Sequence, residues 1–192
     1  ISSVALTASQ YSTVLTGKFS NFTATVSGVL AANASTIASN AKVASVSVSD
    51  TAAHLSTSLN ALREIGNKLA AITNLDNAAL SISVNHLARD AAILAKINGG
   101  SYILNVAGVP VAAVPGVSAN PHVVGILVAD TAVNIQVAAN LTALINLGSK
   151  LLGISEVGAG VGTTIALTAN QYTSIFTAKF ANFNASVSGV LA

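Results

Sequence analysis

The 192-residue sequence contains no cysteine, no methionine and no tryptophan, and only 7% of it is charged. Without cysteine there are no disulfides and no thiolate metal centres. Without methionine there is no translation start, so Ile1 is expected to be a processed or truncated end of a longer chain. Average soluble domains carry about 25% charge, so Ser, Thr, Asn and backbone must cover most of this surface. The 8 basic and 6 acidic residues are scattered singly and leave a net charge of +2. With no basic patch and no acidic tail, neither nucleic acid nor a membrane surface is an expected partner. The most apolar stretch, 103–117, holds Asn105, Pro110 and Pro115. It is too short and too broken to insert across a bilayer.

What the chain has in abundance is repetition. Leu6–Ala31, LTASQYSTVLTGKFSNFTATVSGVLA, returns ungapped as Leu167–Ala192, 161 residues on, with 17 of 26 positions identical. A weaker repeat lies inside it. Asn40–Ala52 reappears as Asn120–Ala132, an offset of 80, and after a two-residue slip Leu62–Leu69 matches Leu144–Leu151. Self-similarity at such periods marks repeat architectures. We divide the chain into two units, 1–79 and 80–163, and the start of a third at 164–192, in one continuous solenoid.

Each unit reads as strand-then-helix coils. Val43–Val48 alternates, with Ala44, Val46 and Val48 on one face and Ser45 and Ser47 on the other. Asp50-Thr51 stops that strand, and the carboxylate is expected to cap the helix that follows, bonding amides two or three residues on. Ala52, Leu55, Leu59 and Leu62 form its apolar stripe, Gly66 its C-terminal cap, and Lys68 sits near its negative end. Asp130, then Val133, Val137, Leu141 and Leu144, then Gly148 and Lys150 repeat the pattern. Strands follow at Leu69–Thr73 and Leu80–Ser83, then a helix over 84–97 with Leu87, Ala91 and Leu94 inward. Its counterparts fall at 8–19 and 169–180. Strands at Phe22–Ser27, Tyr102–Ala107 and Phe183–Ser188 and short helical turns at 31–39 and 111–119 complete the units. The expected fold is α/β, a leucine-rich-repeat-like solenoid of parallel strand–helix coils, about 27 residues per coil and about 80 per unit. A doubly wound open sheet is the rival.

Three of these segments carry a resemblance. Val48-Ser-Asp-Thr-Ala-Ala-His-Leu, Asn60-Ala-Leu with Gly66-Asn-Lys-Leu-Ala-Ala-Ile-Thr, and Leu87-Ala-Arg-Asp-Ala-Ala-Ile-Leu-Ala-Lys-Ile resemble the V-x-D-T-A-A-N tandem repeats of very large secreted, adhesin-like bacterial surface proteins. The chain departs from them at His54, where those repeats usually have Asn, and in the Pro-rich turn 109–117. The resemblance implies an extracellular structural role and names no activity.

Little else in the sequence carries chemistry. His54, His86 and His122 occupy different places in the repeat, without the close pairing of a metal-binding helix. Arg89-Asp90 and Arg63-Glu64 are adjacent on their helices and so read as solvated charge. Gly158, Gly160 and Gly162 lack the Lys of a phosphate loop and read as a connector. No nucleophile–base pair appears. We expect no enzyme, no catalytic residue, no cofactor and no metal. One surface remains: the strand face opposite the apolar stripe, carrying Thr23, Thr25, Ser45, Ser47, Thr73, Asn105, Asn184 and Ser186.

The expected function is a structural segment of a secreted bacterial surface or matrix protein, assembling into a filament, layer or adhesin rod. Its partners would be further copies of itself, head to tail or as adjacent repeats, with cell-surface polysaccharide as another candidate. The alternative is a carbohydrate- or ice-binding module using the flat Ser/Thr face.

Overall fold

The computed structural model describes residues 2–14, 21–158, 162–176 and 179–190. In chain order the elements are β1 (Ser2–Thr7), α1 (Ala8–Val14), β2 (Phe22–Val29), α2 (Ala31–Ala38), β3 (Val43–Asp50), α3 (Ala52–Ile65), β4 (Leu69–Asn74) and β5 (Leu80–Ser83). There follow α4 (Val84–Arg89), α5 (Ala91–Leu94), β6 (Leu104–Val109), α6 (Val114–Ser118), β7 (Val123–Asp130), α7 (Ala132–Ile135), α8 (Ala138–Leu147) and β8 (Leu151–Glu156). The chain closes with β9 (Thr164–Thr168), α9 (Ala169–Gln171), β10 (Phe180–Ala181) and β11 (Asn184–Ser188). Single turns of tighter helix at Gly66–Lys68, Val111–Ala113 and Gly148–Lys150 join several of them. The fold is α/β with parallel strands in open sheets. The expected helices at 8–19 and 169–180 run in part outside the described residues, as does the glycine connector at 158–162.

Contacts divide the chain into two compact units, 1–81 with 88–102, and 82–87 with 103–192. The first holds a sheet in the order β1-β2-β3-β4, so strands adjacent in sequence are adjacent in space. Its far edge is extended by Ile97, which bridges Ile72 in parallel, the Ile72 amide donating to the Lys96 carbonyl at 3.1 Å. The second holds the run β10-β8-β7-β6 and a separate pair, β9 with β11. There β10 takes the place that Ile97 takes in the first, with Ile154 N donating to Lys179 O at 2.8 Å.

Alternation builds the core. Val43, Val46 and Val48 point inward, as do Val123, Ile126 and Val128, each set covered by its helices. Against expectation, Ala44 is exposed. The β2–β3 register shifts so that Ala24 faces Val43 and Thr25 faces Ser45, leaving Ala44 as the extra residue of a bulge. In α3, Ala52, Leu55, Leu59 and Leu62 are all buried, as their helical spacing requires.

The second copy of that helix does not run through. Ala132 and Ile135 are buried in α7 and Leu141 and Leu144 in α8, but Val133 and Val137 are 68% and 49% exposed. The two-residue slip explains the break. Ile135 and Leu141 are six positions apart, and six steps of about 100° would put them about 120° apart around one helix. Val137 instead leaves helical geometry, at φ −61° and ψ 128°, and restarts the helix in phase. The expected stripe over 84–97 is also corrected: Leu87 is half-buried and Ala91 exposed, while Asp90, Ile93, Leu94 and Ile97 face inward.

Gly66 and Gly148 end α3 and α8 at φ 62°, ψ −129° and φ 53°, ψ −119°, the mirror of extended backbone, which only glycine adopts at little cost. Leu59→Ala should lower stability by about 2–5 kcal/mol, and Val137→Ala by less than about 0.5 kcal/mol, as exposed sites do. Urea unfolding midpoints check both.

Candidate functional site

Two carboxylates, Asp50 and Asp130, lie at strand-to-helix junctions. Helix α2 starts after Leu30, and the Val111 turn after Pro110, neither of which has a side chain able to cap. Their first amides are nevertheless paired. Ala31 N donates to Asp50 Oδ2 at 2.9 Å, and Val111 N donates to Asp130 Oδ2 at 2.9 Å. Each carboxylate comes from the end of the strand that follows the helix, 19 residues further on. The second oxygen accepts from the next residue's amide, Thr51 N at 2.9 Å and Thr131 N at 2.8 Å. It also meets a side chain one helical turn on, His54 Nδ1 at 2.6 Å or Asn134 Nδ2 at 2.7 Å.

The expected N-cap is therefore corrected. Asp50 and Asp130 do lie at strand-to-helix junctions, but they hold the preceding helix, and their local bond is to the very next amide. The residue in cap position is Thr51 or Thr131, and Thr131 Oγ1 does accept from Asn134 N at 3.3 Å. Geometry gives the reason. Neighbouring strands lie about 4.8 Å apart, so a strand-end carboxylate is nearer the adjacent helix start than the third amide of its own.

The next rung repeats the device with different residues. Ala52 N, the first amide of α3, donates to Asp76 Oδ1 at 3.1 Å, and Ala132 N, the first of α7, donates to Glu156. Glu156 Oε2 also accepts from Gly162 N at 2.6 Å and Thr163 N at 3.1 Å. At the opposite helix ends lysines do the corresponding work. Lys68 Nζ donates to the Ala38 and Asn40 carbonyls at 2.7 and 3.1 Å, Lys150 Nζ to Ser118 O at 3.2 Å, and Lys179 Nζ to Gly148 O at 3.3 Å. Lys96 Nζ bonds the Leu69 carbonyl. Lys68 thus serves the helix before its own, as Asp50 does. Negative charge at helix starts and positive charge at helix ends both complement the helix dipoles.

Asp90 overturns the reading of Arg63 and Arg89 as solvated charge. It is fully buried, with Arg63 Nη1 at 2.9 Å and Arg89 Nε at 3.3 Å, and Arg89 Nη2 also reaches Asn60 Oδ1 at 2.7 Å. Adjacent residues do not face each other on a helix, but Arg63 comes from a helix 27 residues earlier. Distance in sequence hid the pair.

Burial alone would raise the Asp50 carboxyl, but the Ala31 amide, the His54 ring and the Thr51 amide together hold it below the usual Asp range. Glu156 is likewise held low, burial being outweighed by Thr163, Gly162 and Ala132.

The expected binding face splits in character. In the first unit Thr23, Thr25, Ser45 and Ser47 are half-buried and Thr73 exposed, with Thr25 beside Ser45 and Thr73 beside Ser49. Shifts in register between β2 and β3 and between β3 and β4 break the hydroxyls into short rows. In the second unit Asn105 is half-buried beside Gly125, and the same face presents Leu127 and Leu152, 41% and 45% exposed. Leu152 lies across Gly125, where any Cβ would collide with it and with Asn105. Asn184 and Ser186 are exposed on β11, and Asn184 Nδ2 is bound to Gly162 O at 3.0 Å.

Each unit also has a groove between helix ends. One of about 500 Å³ is lined by Val114, Pro115, Leu147 and Lys150, and one of about 340 Å³ by Ser35, Ala38, Ile65 and Lys68. The lysine of each is already bonded to a helix carbonyl. Among the described residues there is no group of three or more His, Cys, Asp and Glu placed to hold a metal, and no helix long and apolar enough to cross a membrane. Comparisons with protein-family models, curated proteins and solved structures find no match to this chain.

Because the folded pKa of Asp50 is depressed, its stabilisation is complete above the carboxylate range and is lost as pH falls from about 5 through the folded value. Asp50→Ala should lower stability by about 1–3 kcal/mol at pH 7, since it orphans buried amides, and should flatten that acid slope. His54→Asn, which copies Asn134, should leave stability at pH 7 within about 0.5 kcal/mol. Thermal melts from pH 3 to 8 check all three.

Proposed function

We propose that the chain is a structural segment of a large secreted bacterial surface or matrix protein, a leucine-rich-repeat-like solenoid that self-associates into a filament, layer or adhesin rod. The observation that carries this reading is where the acid groups go. Of six acidic residues, Asp50, Asp76, Asp90, Asp130 and Glu156 are bonded to backbone amides or to arginine of their own unit. Side chains that could do acid–base chemistry are thus used to tie successive helices and strands together. That is how a stack of coils, none able to bury a core alone, acquires stiffness.

Two further features support it. The Ala31–Asp50 and Val111–Asp130 bonds match atom for atom across the 80-residue offset, and strand order follows sequence order in the four-stranded sheet. The resemblance of 48–55 to V-x-D-T-A-A-N repeats supports reading such a stack as extracellular, with copies of itself as the main partner. Low charge suits this, because stacked copies bring like residues into register.

A carbohydrate- or ice-binding face is the second reading, favoured by the Ser, Thr and Ala of the first unit's outward face. It ranks lower because the register shifts interrupt the hydroxyl rows and Leu127 and Leu152 replace them in the second unit.

Light scattering and negative-stain imaging of the purified chain over a concentration series test the main reading. Expected are end-to-end assemblies that grow with concentration, and antibody labelling of unpermeabilised producing cells. A chain that stays monomeric throughout, or labelling only after permeabilisation, would reject it.

A further inference from the structure

The first unit holds a cavity whose lining the second unit's sequence does not repeat. It measures about 430 Å³ and lies between the first turns of α3 and the 76–81 segment. Ala53 and Ala78 give it an apolar wall, while Ser56, Thr57, Ser81 and Asp76 supply polar groups. At the corresponding places of the second unit, 80 or 82 residues on, Ala53 becomes Val133, Ser56 Gln136, Thr57 Val137 and Asp76 Gly158. The repeated framework is therefore built without these groups.

The bonds inside the first unit leave the cavity rich in acceptors. Ser56 Oγ donates to Ala52 O at 2.7 Å, and Thr57 Oγ1 donates to His54 O at 3.0 Å. A hydroxyl has one proton, so what these two keep is lone pairs. Ser56 Oγ also accepts from Ser81 N at 3.0 Å, which ties the two sides of the cavity together. Asp76 uses Oδ1 for the Ala52 and Ala78 amides, at 3.1 and 3.2 Å. It is exposed, and among the described residues no cationic side chain pairs with it.

Placing the acid at 76 also weakens its own rung. Asn74, 4% exposed, keeps a buried Oδ1 with no partner, at the place where Glu156 gathers the Ala132, Gly162 and Thr163 amides. A rung selected for stability alone would keep the second unit's arrangement. What the first unit has instead is a carboxylate on the loop that lines the cavity.

We infer that this cavity binds an organic primary ammonium group. An ammonium brings three donors and no acceptor, the complement of one carboxylate and two hydroxyls whose protons are already used. Its carbon body meets the Ala53 and Ala78 methyls. A metal ion fits less well, because the cavity offers one acid, and no group of three or more His, Cys, Asp and Glu is placed to hold one among the described residues. The volume suits a small ligand. Asp76 stays open to solvent, so binding is weak and falls as salt is added. This site goes beyond the self-associating reading and stands without it.

The test titrates the full chain with n-butylammonium, glucosamine and n-butanol, followed by backbone amide chemical shifts. Saturable shifts at Thr57, Asp76, Ala78 and Ser81 are expected with an amine, smaller at high salt, and none with n-butanol. Binding of n-butylammonium alone supports a lysine-like amine, and binding of glucosamine alone supports an amino sugar. Asp76→Asn keeps an acceptor for the Ala52 and Ala78 amides but removes the charge, and should weaken binding at least about tenfold. Ala53→Leu, at an exposed helix position, should fill the cavity and abolish binding with the melting temperature unchanged. That readout stands even where the Asp76 variant loses stability. Shifts that n-butanol reproduces, that neither amine produces, or that survive Ala53→Leu overturn the site.

Discussion

The bond on which the rest of this structure depends runs from the first amide of a helix to a carboxylate at the end of the following strand. Without it, Ala31 and Val111 would begin helices behind Leu30 and Pro110 with an unpaired amide beside the core. An orphaned buried donor costs on the order of 1–3 kcal/mol, and there would be one at every such junction. The acid supplies the missing acceptor, favours the positive helix end and fixes how far the strand advances relative to its neighbour. Register, helix start and strand end are thus set by one side chain. In a sequence with so little charge, five of the six acidic residues bond amides or arginine.

This explains which parts of the fold were legible in the sequence. Periodicity located β3, α3, β4 and β5 nearly to the residue, because alternation and the Leu55, Leu59, Leu62 stripe are local signals. The partners of Asp50, Lys68 and Asp90 were not legible, for a common reason. Within a helix or a cap, reach extends about four residues, and inside that range Asp50 and Lys68 read as local to α3 while Asp90 reads as solvated charge. In a parallel sheet the next strand is only about 4.8 Å away, although the chain takes 19 to 30 residues to get there. The repeat offset was a signal for the first two, since Asp50 and Lys68 recur with their neighbours as Asp130 and Lys150, but not for Asp90. The break at Val137 was likewise written in the two-residue slip, which a continuous stripe through Val133 and Val137 ignored.

The two units also show which features can vary. The bonds of Asp50 and Asp130 match, but the outward strand faces do not: Ser47 of the first has Leu127 at its place in the second, and Ser45 has Gly125. The glycine is tied to the leucines, because Leu152 fills the space a Cβ at 125 would need. Buried Asp90 and the partly exposed Arg63 and Arg89 that meet it belong to the first unit, and by the repeat alignment Arg63, Asp90 and Arg89 correspond to Ile145, Thr173 and Tyr172. These charges change as a set, as they must when removal of one partner would leave another charge buried.

The rung at Asn74 and Glu156 carries this logic to its limit. The two residues hold the same place, Asn74 beside Asp50 and Glu156 beside Asp130. In the second unit one carboxylate gathers the Ala132, Gly162 and Thr163 amides. In the first unit the work is divided. Asp76 takes the Ala52 and Ala78 amides, while Asn74 donates through Nδ2 to Ala78 O and its buried Oδ1 has no partner. Moving the acid two residues outward lets it turn the 74–78 loop as well as hold the helix. What is given up is the acceptor at position 74, which keeps the shape of the rung without its charge. Two carboxylates side by side at Asp130 and Glu156 are tolerable because each is surrounded by its own amides. With Asp76 already serving Ala52, a carboxylate at 74 would face Asp50 with no amide of its own to meet, and the neutral amide is the residue that fits.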